Sequence, residues 1–590
     1  MRNVLKIIIE FTLLFAIYSF IFFLFTFPLI LNFYSSFISE PNGDAPQFIW
    51  NAFIFKENIQ KFKNPFYTDK IFYPLGTGLV MHDYSIIYGL LNLFIKNPIF
   101  SINMGIYLSS VFSGLGGYYL SKYFLQNQVL SFINGFIFAF SPFRTNHLLG
   151  HYGLIFTLSI PFFILFFVKS FKWNGTYISY LNKKNFFSSI LFFLISLISH
   201  YYLSYFLIIF IVLYLIFHKR FFCKTKLNKK HILFFLLFWI ILNCSLLLLH
   251  FLNIFPEESK ENLKWSIKYA SSLSADLACF LIPFNYSRFF ASSRIKDIHS
   301  FLIKGLPVEN TSFLGYTLLI IFLFYLKKRR YLNFKYPELQ FVLFLTLSYF
   351  ILSIPFVRIF GKLIFILPTA VFHIIPFFNN LRCPVRFTLM LYLFIPILCG
   401  SVLKEYIFKN FSHKFSIFFS VCIFLLILIE YFPQRYPLEK YENIPTVYFF
   451  LRNNEDGTLL EIPFGIEDAF KTIGKSGRNQ MYYQIVHEKK RIGGYISRVN
   501  PKIFNFFETD PVLKQLIDLF ERGNEINFTR LFSPAEIKLF IKKFDIKYIL
   551  IYPSYRNSLI ERFVLENFKN FISKKIECEK FLLIFINNLK

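Results

Sequence analysis

Long apolar runs separated by short basic segments fill the first 432 residues of the chain. About eleven runs approach the length needed to cross roughly 30 Å of hydrocarbon. They lie at 4–33, 102–123, 127–142, 151–171, 186–199, 201–217, 231–250, 312–326, 338–355, 386–403 and 414–432. Hydrophobic residues make up 55% of the 590 positions, above the share of about 45–50% in soluble domains. The sequence therefore predicts an α-helical polytopic membrane protein. Its opening segment is expected to be a retained transmembrane helix, because it is too long for a signal peptide.

The basic segments predict the orientation of the chain in the cell membrane. Short runs of Lys and Arg are enriched on the cytoplasmic side of membrane proteins. Four such runs occur, at 172–184, 218–230, 327–330 and 404–414. All four fall inside if the N-terminus is cytoplasmic and the weak apolar stretch Ser85–Ile95 is an interfacial or re-entrant helix. The outer face then receives the unusual polar clusters, which lie at 34–101, 141–153, 251–311, 356–385 and after Tyr431.

Residues 433–590 differ in pattern from the preceding region. Short or alternating apolar runs at 457–464, 545–553 and 581–587 are typical of strands, and 533–544 is typical of a charged helix. None of these runs is long enough to cross a membrane. We therefore predict two domains. The transmembrane domain covers 1–432, with large outer loops 34–101 and 251–311, and an extracytoplasmic α/β domain covers 433–590.

Charge and motifs argue against several classes of protein. The net charge of +29 lies mostly between the apolar runs and in the tail. There it suits orientation and anionic membrane lipids better than nucleic acid. The seven cysteines have no metal-binding spacing, and the sequence has no Walker loop, GxGxxG, GxSxG or HExxH motif. An ATP-driven pump, a nucleotide-binding oxidoreductase and a hydrolase of those types are therefore disfavoured.

Asp44 is the first candidate for chemistry. It follows Gly43 directly after the first apolar run, and Pro41 and Pro46 restrict the backbone on both sides. A carboxylate at the membrane surface can act as a general base or hold a cation beside a phosphate. Alternatively, Asp44 caps a helix at 45–59, since Asp is a preferred N-cap residue.

Two histidine-containing motifs supply further candidates. A His beside an Asp, as in His82-Asp83, can titrate near neutrality or bind a metal, whereas Asp83 alone would cap the next helix. In SPFRTNHLLGHYG, His147 and His151 share one helical face, with Arg144 one turn earlier. The three groups suit a phosphate or pyrophosphate, and the two His suit a metal. Alternatively, they are snorkelling residues at the membrane interface.

Two more pairs lie in the predicted outer segments. Asp276 and Glu309 stand among Lys and Arg residues, a combination that fits a sugar and its phosphate. Arg382 and Arg386 lie at the outer entrance of the run 386–403, where a lipid phosphate would be bound. Arginine is equally ordinary at that place as an interface anchor.

These motifs resemble the GT-C superfamily of membrane glycosyltransferases, including its multi-pass bacterial and archaeal branch. The motifs are NGD (Asn42–Asp44), NPFYTDKIFYPLG (Asn64–Gly76), MHD (Met81–Asp83), SPFRTNHLLGH (Ser141–His151) and LRCPVRF (Leu381–Phe387). The resemblance covers residues 1–430 well and the tail loosely. It implies a GT-C-like bundle of about 11 transmembrane helices.

The resemblance also implies an activity. A sugar would move from a polyprenyl-phosphate donor to a cell-envelope glycan, lipid or protein on the outer face, with Asp44 as the base toward the acceptor hydroxyl. The groups that would stabilise the departing lipid phosphate are Arg144, His147, His151 and Arg382 or Arg386. Many members of the superfamily carry paired acids in this loop, whereas Ala45 follows Asp44 here. Asp83 or Asp276 would have to supply the second acid of a metal site. A divalent metal (Mg or Mn) is the candidate cofactor, and this departure argues against it.

Two other functions stay open. A flippase or transporter for lipid-linked saccharides should show pseudo-symmetric halves and broken spans near the midplane. Here the polar groups gather at one predicted surface instead. A non-catalytic GT-C-like assembly protein of the envelope would keep the fold and lack the chemistry. An enzyme requires Asp44, His82 or Asp83, and Arg144 or His151 to converge on one cavity open to lipid and water.

Overall fold

The computed structural model describes residues 2–41, 43–80, 82–174, 177–222, 267–290, 295, 297–298, 309, 311–374, 381–522 and 531–587. The chain forms two compact units, which we call the helical unit and the mixed unit. The helical unit contains Met1–Phe33, Asn103–Ile240 and Leu263–Pro437. The mixed unit contains Tyr34–Ile102, Ile241–Asn262 and Leu438–Lys590. By packing, Tyr34–Ile102 group with Leu438–Lys590, and the predicted domains 1–432 and 433–590 stay a prediction.

Five helices in the described part of the chain are long and apolar enough to cross a membrane. They are Val4–Phe25, Pro98–Leu125, Tyr201–His218, Pro384–Phe408 and His413–Tyr431. Shorter apolar helices are Ile86–Ile95, Ser159–Ser170 and Glu338–Ser353. These helices are typical of a membrane protein, as the sequence predicts. The count of about eleven spans stays a prediction, and the predicted span 231–250 lies outside the described residues.

The core of the helical unit surrounds the helix Thr388–Leu403, which is buried at every position except its last. Because all of its sides are apolar, it has no face for water. It packs against Gln128–Ala139, Tyr316–Lys335 and Glu338–Ser353. Further helices of this unit are Pro142–His147, Lys183–Ser199 and Ile267–Ser272. Its two hairpins pair Phe171–Asn174 with Tyr177–Leu181, and Phe356–Ile359 with Lys362–Ile366.

The mixed unit contains a five-stranded sheet. The strands lie in the order Lys490–Arg491, Thr458–Ile462, Ile546–Ile551, Phe581–Ile586 and Ile572–Cys578. The first three are parallel and the last two pair antiparallel. The accompanying helices are Thr446–Arg452, Arg478–His487, Pro501–Glu508, Pro511–Arg522, Pro534–Phe544 and Leu559–Asn567. The three strands and the helix predicted from the apolar runs are confirmed.

The segment that follows the first apolar helix packs into the same unit as the C-terminal residues. Its helices are Ala45–Gln60 and Ile86–Ile95, and its strand Ser36–Ile38 pairs antiparallel with Leu438–Lys440. Short strands Tyr67–Thr68 and Thr77–Gly78 pair with each other, and Gly465–Glu467 lies between Thr472–Gly474 and Gly494–Tyr495. Trp50 is fully buried, and its Nε1 donates to Gln484 Oε1 at 2.6 Å. The two distant stretches of sequence therefore share one hydrophobic core, which also contains Ile71 and Leu460.

Candidate functional site

A buried carboxylate lies at the centre of a polar cluster in the helical unit. Glu309 is 1% exposed. Arg386 binds it with both arms of its guanidinium: Nε donates to Oε2 at 2.9 Å and Nη2 donates to Oε1. The same guanidinium lies 4.5 Å from the centroid of the Tyr202 ring. Two-armed pairing and ring stacking hold the arginine in one orientation.

Two histidines approach the same carboxylate. His147 Nε2 lies 3.4 Å from Glu309 Oε2, and His151 Nε2 lies 4.0 Å from Oε1. His147 Nδ1 lies 2.7 Å from the Phe143 carbonyl oxygen, which can only accept, so this nitrogen carries a proton. When Nε2 also carries a proton it donates to Glu309 Oε2, and when it does not, its lone pair is available to a metal. We call His147, His151, Glu309 and Arg386 the Glu309 cluster.

The charge of Glu309 follows from these contacts. Burial alone raises the pKa of a carboxyl group, because the charged form loses its hydration. Here Arg386 and His147 outweigh burial and hold the pKa of Glu309 well below its usual value. The cluster therefore contains a carboxylate at neutral pH, balanced by a fixed guanidinium.

The cluster also has the donor atoms for a divalent metal. One ligand atom each from His147, His151 and Glu309 lies within 4.8 Å of the other two. Imidazole nitrogens suit transition metals, and a carboxylate is a common third ligand. The bond from His147 Nδ1 to a backbone carbonyl is the usual support of a metal-binding histidine. The residues therefore fit such an ion, with Arg386 orienting the carboxylate.

The local sequence explains how the two histidines meet. Pro142 begins a short helix, Pro142–His147, where its missing N–H costs nothing. The chain continues for one more turn, and the His151 N–H donates to the His147 carbonyl at 2.9 Å. The imidazole centroids are 5.3 Å apart. The spacing of four residues thus places both rings on one side.

Arg144 lies among backbone carbonyl groups of the helical unit. Its Nη1 donates to the Ala139 carbonyl at 2.9 Å, and its Nη2 donates to the Ile155 carbonyl at 3.0 Å. Ser110 Oγ accepts a further bond at 3.2 Å. These bonds tie the chain before and after the histidine motif together. They give the arginine a structural role, and its role as a phosphate ligand stays a prediction.

Asp276 and Arg382 also belong to the helical unit. The Asp276 carboxylate is 2% exposed and accepts three backbone N–H groups, from Ala278 at 2.9 Å, Phe360 at 3.2 Å and Gly361 at 2.7 Å. These bonds account for its burial, so Asp276 stabilises the hairpin turn at 360–361. The Arg382 guanidinium lies 6.0 Å from the centroid of the Tyr269 ring.

Asp44 belongs to the mixed unit, where it forms an ion pair. Arg478 Nη1 donates to Asp44 Oδ1 at 2.6 Å. The same guanidinium lies 3.5 Å from Glu467 and 5.0 Å from the centroid of the Tyr495 ring. Asp44 precedes the helix Ala45–Gln60, but its side chain accepts no capping bond from that helix. Asp44 therefore occupies the N-cap position that the alternative predicts, but its carboxylate pairs with Arg478 and makes no capping bond.

Arg478 is a residue that the sequence does not single out. It stands 434 positions from Asp44, after a glycine in a polar turn. Neither the spacing nor the composition of the surrounding residues identifies Arg478 as a candidate site residue. Only the fold shows that Arg478 is the partner of Asp44.

His82 is buried in the mixed unit, and both of its ring nitrogens make hydrogen bonds. The Ser497 N–H donates to its Nδ1 at 3.0 Å, so Nε2 carries the proton toward Asn51 Oδ1 at 3.1 Å. Burial lowers the pKa of His82 to about 4, although the nearby Asp83 opposes this. The ring is therefore neutral at pH 7. The N-cap of the next helix is Ser85, so the expectation that Asp83 caps it is wrong.

The described helices and the Glu309 cluster define a multi-span membrane protein with an ionised site buried in its helical unit. The chain belongs to the family defined by the domain of unknown function DUF6311, whose model matches residues 15–429. The match covers both histidines, Glu309 and Arg386. No curated protein matches the chain.

Solved structures of an oligosaccharyltransferase from Archaeoglobus fulgidus are similar to this chain at 12% identity. AglB in complex with an inhibitory peptide and a dolichol-phosphate has a TM-score of 0.38, covering 92% of this chain and 69% of that chain. The apo form has a TM-score of 0.39 with the same coverage. The complex with Zn and sulfate has a TM-score of 0.38, covering 97% and 73%. Scores at this level carry no argument about the site.

Proposed function

We propose that this protein is a membrane glycosyltransferase that moves a sugar from a polyprenyl-phosphate-linked donor to a glycan, lipid or protein acceptor of the cell envelope. The Glu309 cluster carries this proposal. An imidazole, a guanidinium and a carboxylate are buried together in the helical unit of a membrane protein, and a second, partly exposed imidazole lies beside them. Ionisable groups are expensive to bury in such proteins and are by default functional. This set suits a phosphate bound close to the lipid phase.

The reaction explains why such a cluster is needed. The acceptor oxygen forms a bond to the anomeric carbon, and the bond from that carbon to the phosphate oxygen breaks. The phosphate leaves with the electron pair and gains negative charge, which cationic groups stabilise. A base takes the proton of the acceptor hydroxyl, and we assign this role to Asp44. Arg478 would fix the direction in which the Asp44 carboxylate points.

A metal ion would add to the positive charge at the phosphate. His147, His151 and Glu309 would hold it, and when bound it would act as a Lewis acid toward a phosphate oxygen. Two nitrogen ligands suit Mn²⁺ better than Mg²⁺, which prefers oxygen ligands. We therefore favour Mn²⁺ over Mg²⁺ as the cofactor of the proposed enzyme.

The test uses the full chain in lipid nanodiscs with a panel of labelled polyprenyl-phosphate sugars and envelope acceptors. His151→Ala is the informative variant, because its side chain is 20% exposed and tolerates change better than the buried His147. The exposed His413, at the start of another helix, supplies the matched control His413→Ala. Removal of a group that stabilises the leaving phosphate should lower transfer by about 10²–10³-fold.

Two further measurements separate the parts of the proposal. Asp44→Asn should abolish proton uptake and lower transfer by about 10²–10⁴-fold. Bound manganese, measured by elemental analysis after loading, should fall in His151→Ala and stay constant in His413→Ala. Transfer at the parental rate in both Asp44→Asn and His151→Ala would overturn the proposed mechanism.

One observation favours the non-catalytic alternative. Arg386 already donates to both oxygens of Glu309, and both residues are less than 5% exposed. The pair therefore also stabilises the interior of the helical unit. An assembly protein of this kind would bind the lipid-linked sugar without cleaving it. Binding of a polyprenyl-phosphate sugar by the parent protein, with transfer absent across the panel, would support this function instead.

A further inference from the structure

One hairpin of the helical unit exposes an unusual amount of apolar surface. Phe356–Ile359 pairs antiparallel with Lys362–Ile366. Every residue of the second strand is exposed, and its four apolar side chains are 46–58% exposed: Leu363, Ile364, Phe365 and Ile366. Successive side chains of a strand point to opposite faces. Both faces of this strand are therefore apolar and uncovered by the described protein.

The turn of the hairpin presents an aromatic ring in a fixed position. Phe360 is 56% exposed and has a φ of 50°, a conformation that is unfavourable for a bulky residue. Gly361 follows with a φ of 75°. Asp276 stabilises this turn, because its buried carboxylate accepts the N–H groups of Phe360 and Gly361. The lone charged side chain of the second strand is Lys362, directly after the turn.

Neither water nor the centre of a bilayer suits this hairpin. In water, an apolar strand with an open edge would promote aggregation. In the hydrocarbon core, the unpaired N–H and C=O groups of that edge would have no partners. The boundary between headgroups and acyl chains supplies both an apolar phase and hydrogen-bonding groups. A lysine at the tip can extend its amine to lipid phosphates there.

Exposed apolar side chains also precede and follow the hairpin along the chain. The helix Glu338–Ser353 ends three residues before the first strand, and its Leu347 and Ile351 are 49% and 41% exposed. After the hairpin, Val371 and Ile374 are 51% and 65% exposed. An apolar helix, the hairpin and the residues after it thus all expose apolar side chains, as a protein surface in contact with lipid does.

We propose that the hairpin at 356–366 is a lipid-binding anchor that lies in the interfacial region of the bilayer. Phe360 and the strand at 363–366 contact the upper parts of acyl chains, and Lys362 binds phosphate. Asp276 is the positioning residue that holds the tip. This inference is independent of the proposed glycosyl transfer.

The test measures the depth of the hairpin with tryptophan fluorescence in the full chain, reconstituted in phosphatidylcholine vesicles. Phe365→Trp reports on the strand. Leu539→Trp, on an exposed position of the helix Pro534–Phe544, is the matched control, since that residue is 69% exposed. The native chain contains 4 tryptophans, so each variant is read as the difference from its parent. Lipids brominated near the headgroup or near the chain end, and acrylamide in the water, are the quenchers.

We expect shallowly brominated lipid to quench Phe365→Trp at least about two-fold more than it quenches the control, as for an interfacial segment. Acrylamide should quench the control more strongly. Quenching of Phe365→Trp by acrylamide alone would overturn the anchor. Protection from both quenchers would overturn it too, because a second protein surface would then cover the strand.

A second variant tests the role of Asp276. In Phe360→Trp, replacement of Asp276 by Ala removes the acceptor for both turn N–H groups, so the shallow quenching should be lost. The protein must stay monodisperse and retain the quenching of Phe365→Trp, which excludes general unfolding. Unchanged quenching of Phe360→Trp would remove Asp276 from the anchor.

Discussion

Glu309 in the helical unit and Asp44 in the mixed unit are both paired with an arginine, but in different surroundings. Glu309 is 2% exposed at its side chain and its partner Arg386 is 4% exposed. Asp44 and Arg478 are 28% and 34% exposed. A buried pair is costly to break, because one ion is then left without hydration or partner. A half-exposed pair contributes little, because water replaces the lost partner.

The difference suggests that the two carboxylates have different tasks. Glu309 is locked by Arg386 and two histidines, so it can hold a charge or a metal at one place but has little freedom to accept a proton. The Asp44 carboxylate accepts from Arg478 at Oδ1, and because its side chain is 28% exposed it stays reachable by water. A general base must exchange protons with its surroundings during each turnover. The exposed carboxylate is therefore better suited to proton transfer, and the buried one to binding.

The largest expected effect is the loss of Arg386. Arg386→Met leaves the Glu309 carboxylate buried without its guanidinium partner. The free energy of unfolding should therefore fall by about 3–5 kcal/mol. Thermal unfolding in detergent measures this. Arg435→Met is the control, because Arg435 is exposed and lies 5.7 Å from the Phe27 ring centroid. Arg386→Met combined with Glu309→Gln should recover much of the loss. A loss no larger than the control's would show that the pair is not isolated from water.

The next effect concerns His82 and pH. Its pKa in the folded protein is about 4, compared with 6.5 for an ordinary histidine. The unfolded chain therefore binds this proton at a higher pH, and the stability is fully present above pH 6.5 and falls as the pH is lowered toward 4. A shift of this size corresponds to about 3 kcal/mol.

His82→Gln removes the titrating group and keeps a side chain that can donate to Asn51. Its stability should depend less on pH between 6.5 and 4 than that of the parent protein, measured by thermal unfolding at fixed ionic strength. Equal slopes in the two proteins would mean that His82 is protonated in the folded state, contrary to its burial.

A smaller effect is expected at the Asp44 pair. Arg478→Gln breaks a pair that is about a third exposed, so the free energy of unfolding should change by no more than about 1 kcal/mol. The contrast with Arg386→Met, measured in the same detergent, tests the comparison directly. If Arg478→Gln destabilises the protein as much as Arg386→Met, the Asp44 pair is structural and Asp44 is a poor choice of base.

Much of the local structure could be predicted from the sequence. The apolar helices and the three C-terminal strands follow from hydrophobic length and period, which neighbouring residues set. The helix Ala45–Gln60 begins where the sequence places it and ends one residue later. His147 and His151 meet because a spacing of four is a local property of helical backbone.

The long-range contacts could not be predicted in the same way. Arg478 pairs with Asp44 only because two distant stretches share a core, and no local pattern encodes this. The sequence predicts that Asp276 binds a sugar and its phosphate, and no local pattern shows that it accepts backbone N–H groups of a turn more than 80 positions away. The convergence of Asp44 with the histidine motif, and the role of every proposed site residue, stay predictions.

The smallest effect is expected where both partners lie at the surface of the mixed unit. Lys490 Nζ is 3.1 Å from Asp69 Oδ2, and the side chains are 38% and 37% exposed. Lys490→Gln should change the free energy of unfolding by at most about 0.5 kcal/mol, and added salt should remove the difference because ions screen exposed charges. Salt should leave the effect of Arg386→Met largely intact, since a buried pair is screened much less. An effect of Lys490→Gln above about 1 kcal/mol that persists in salt would resemble that of a buried pair. Exposure would then not separate the two kinds of ion pair in this protein.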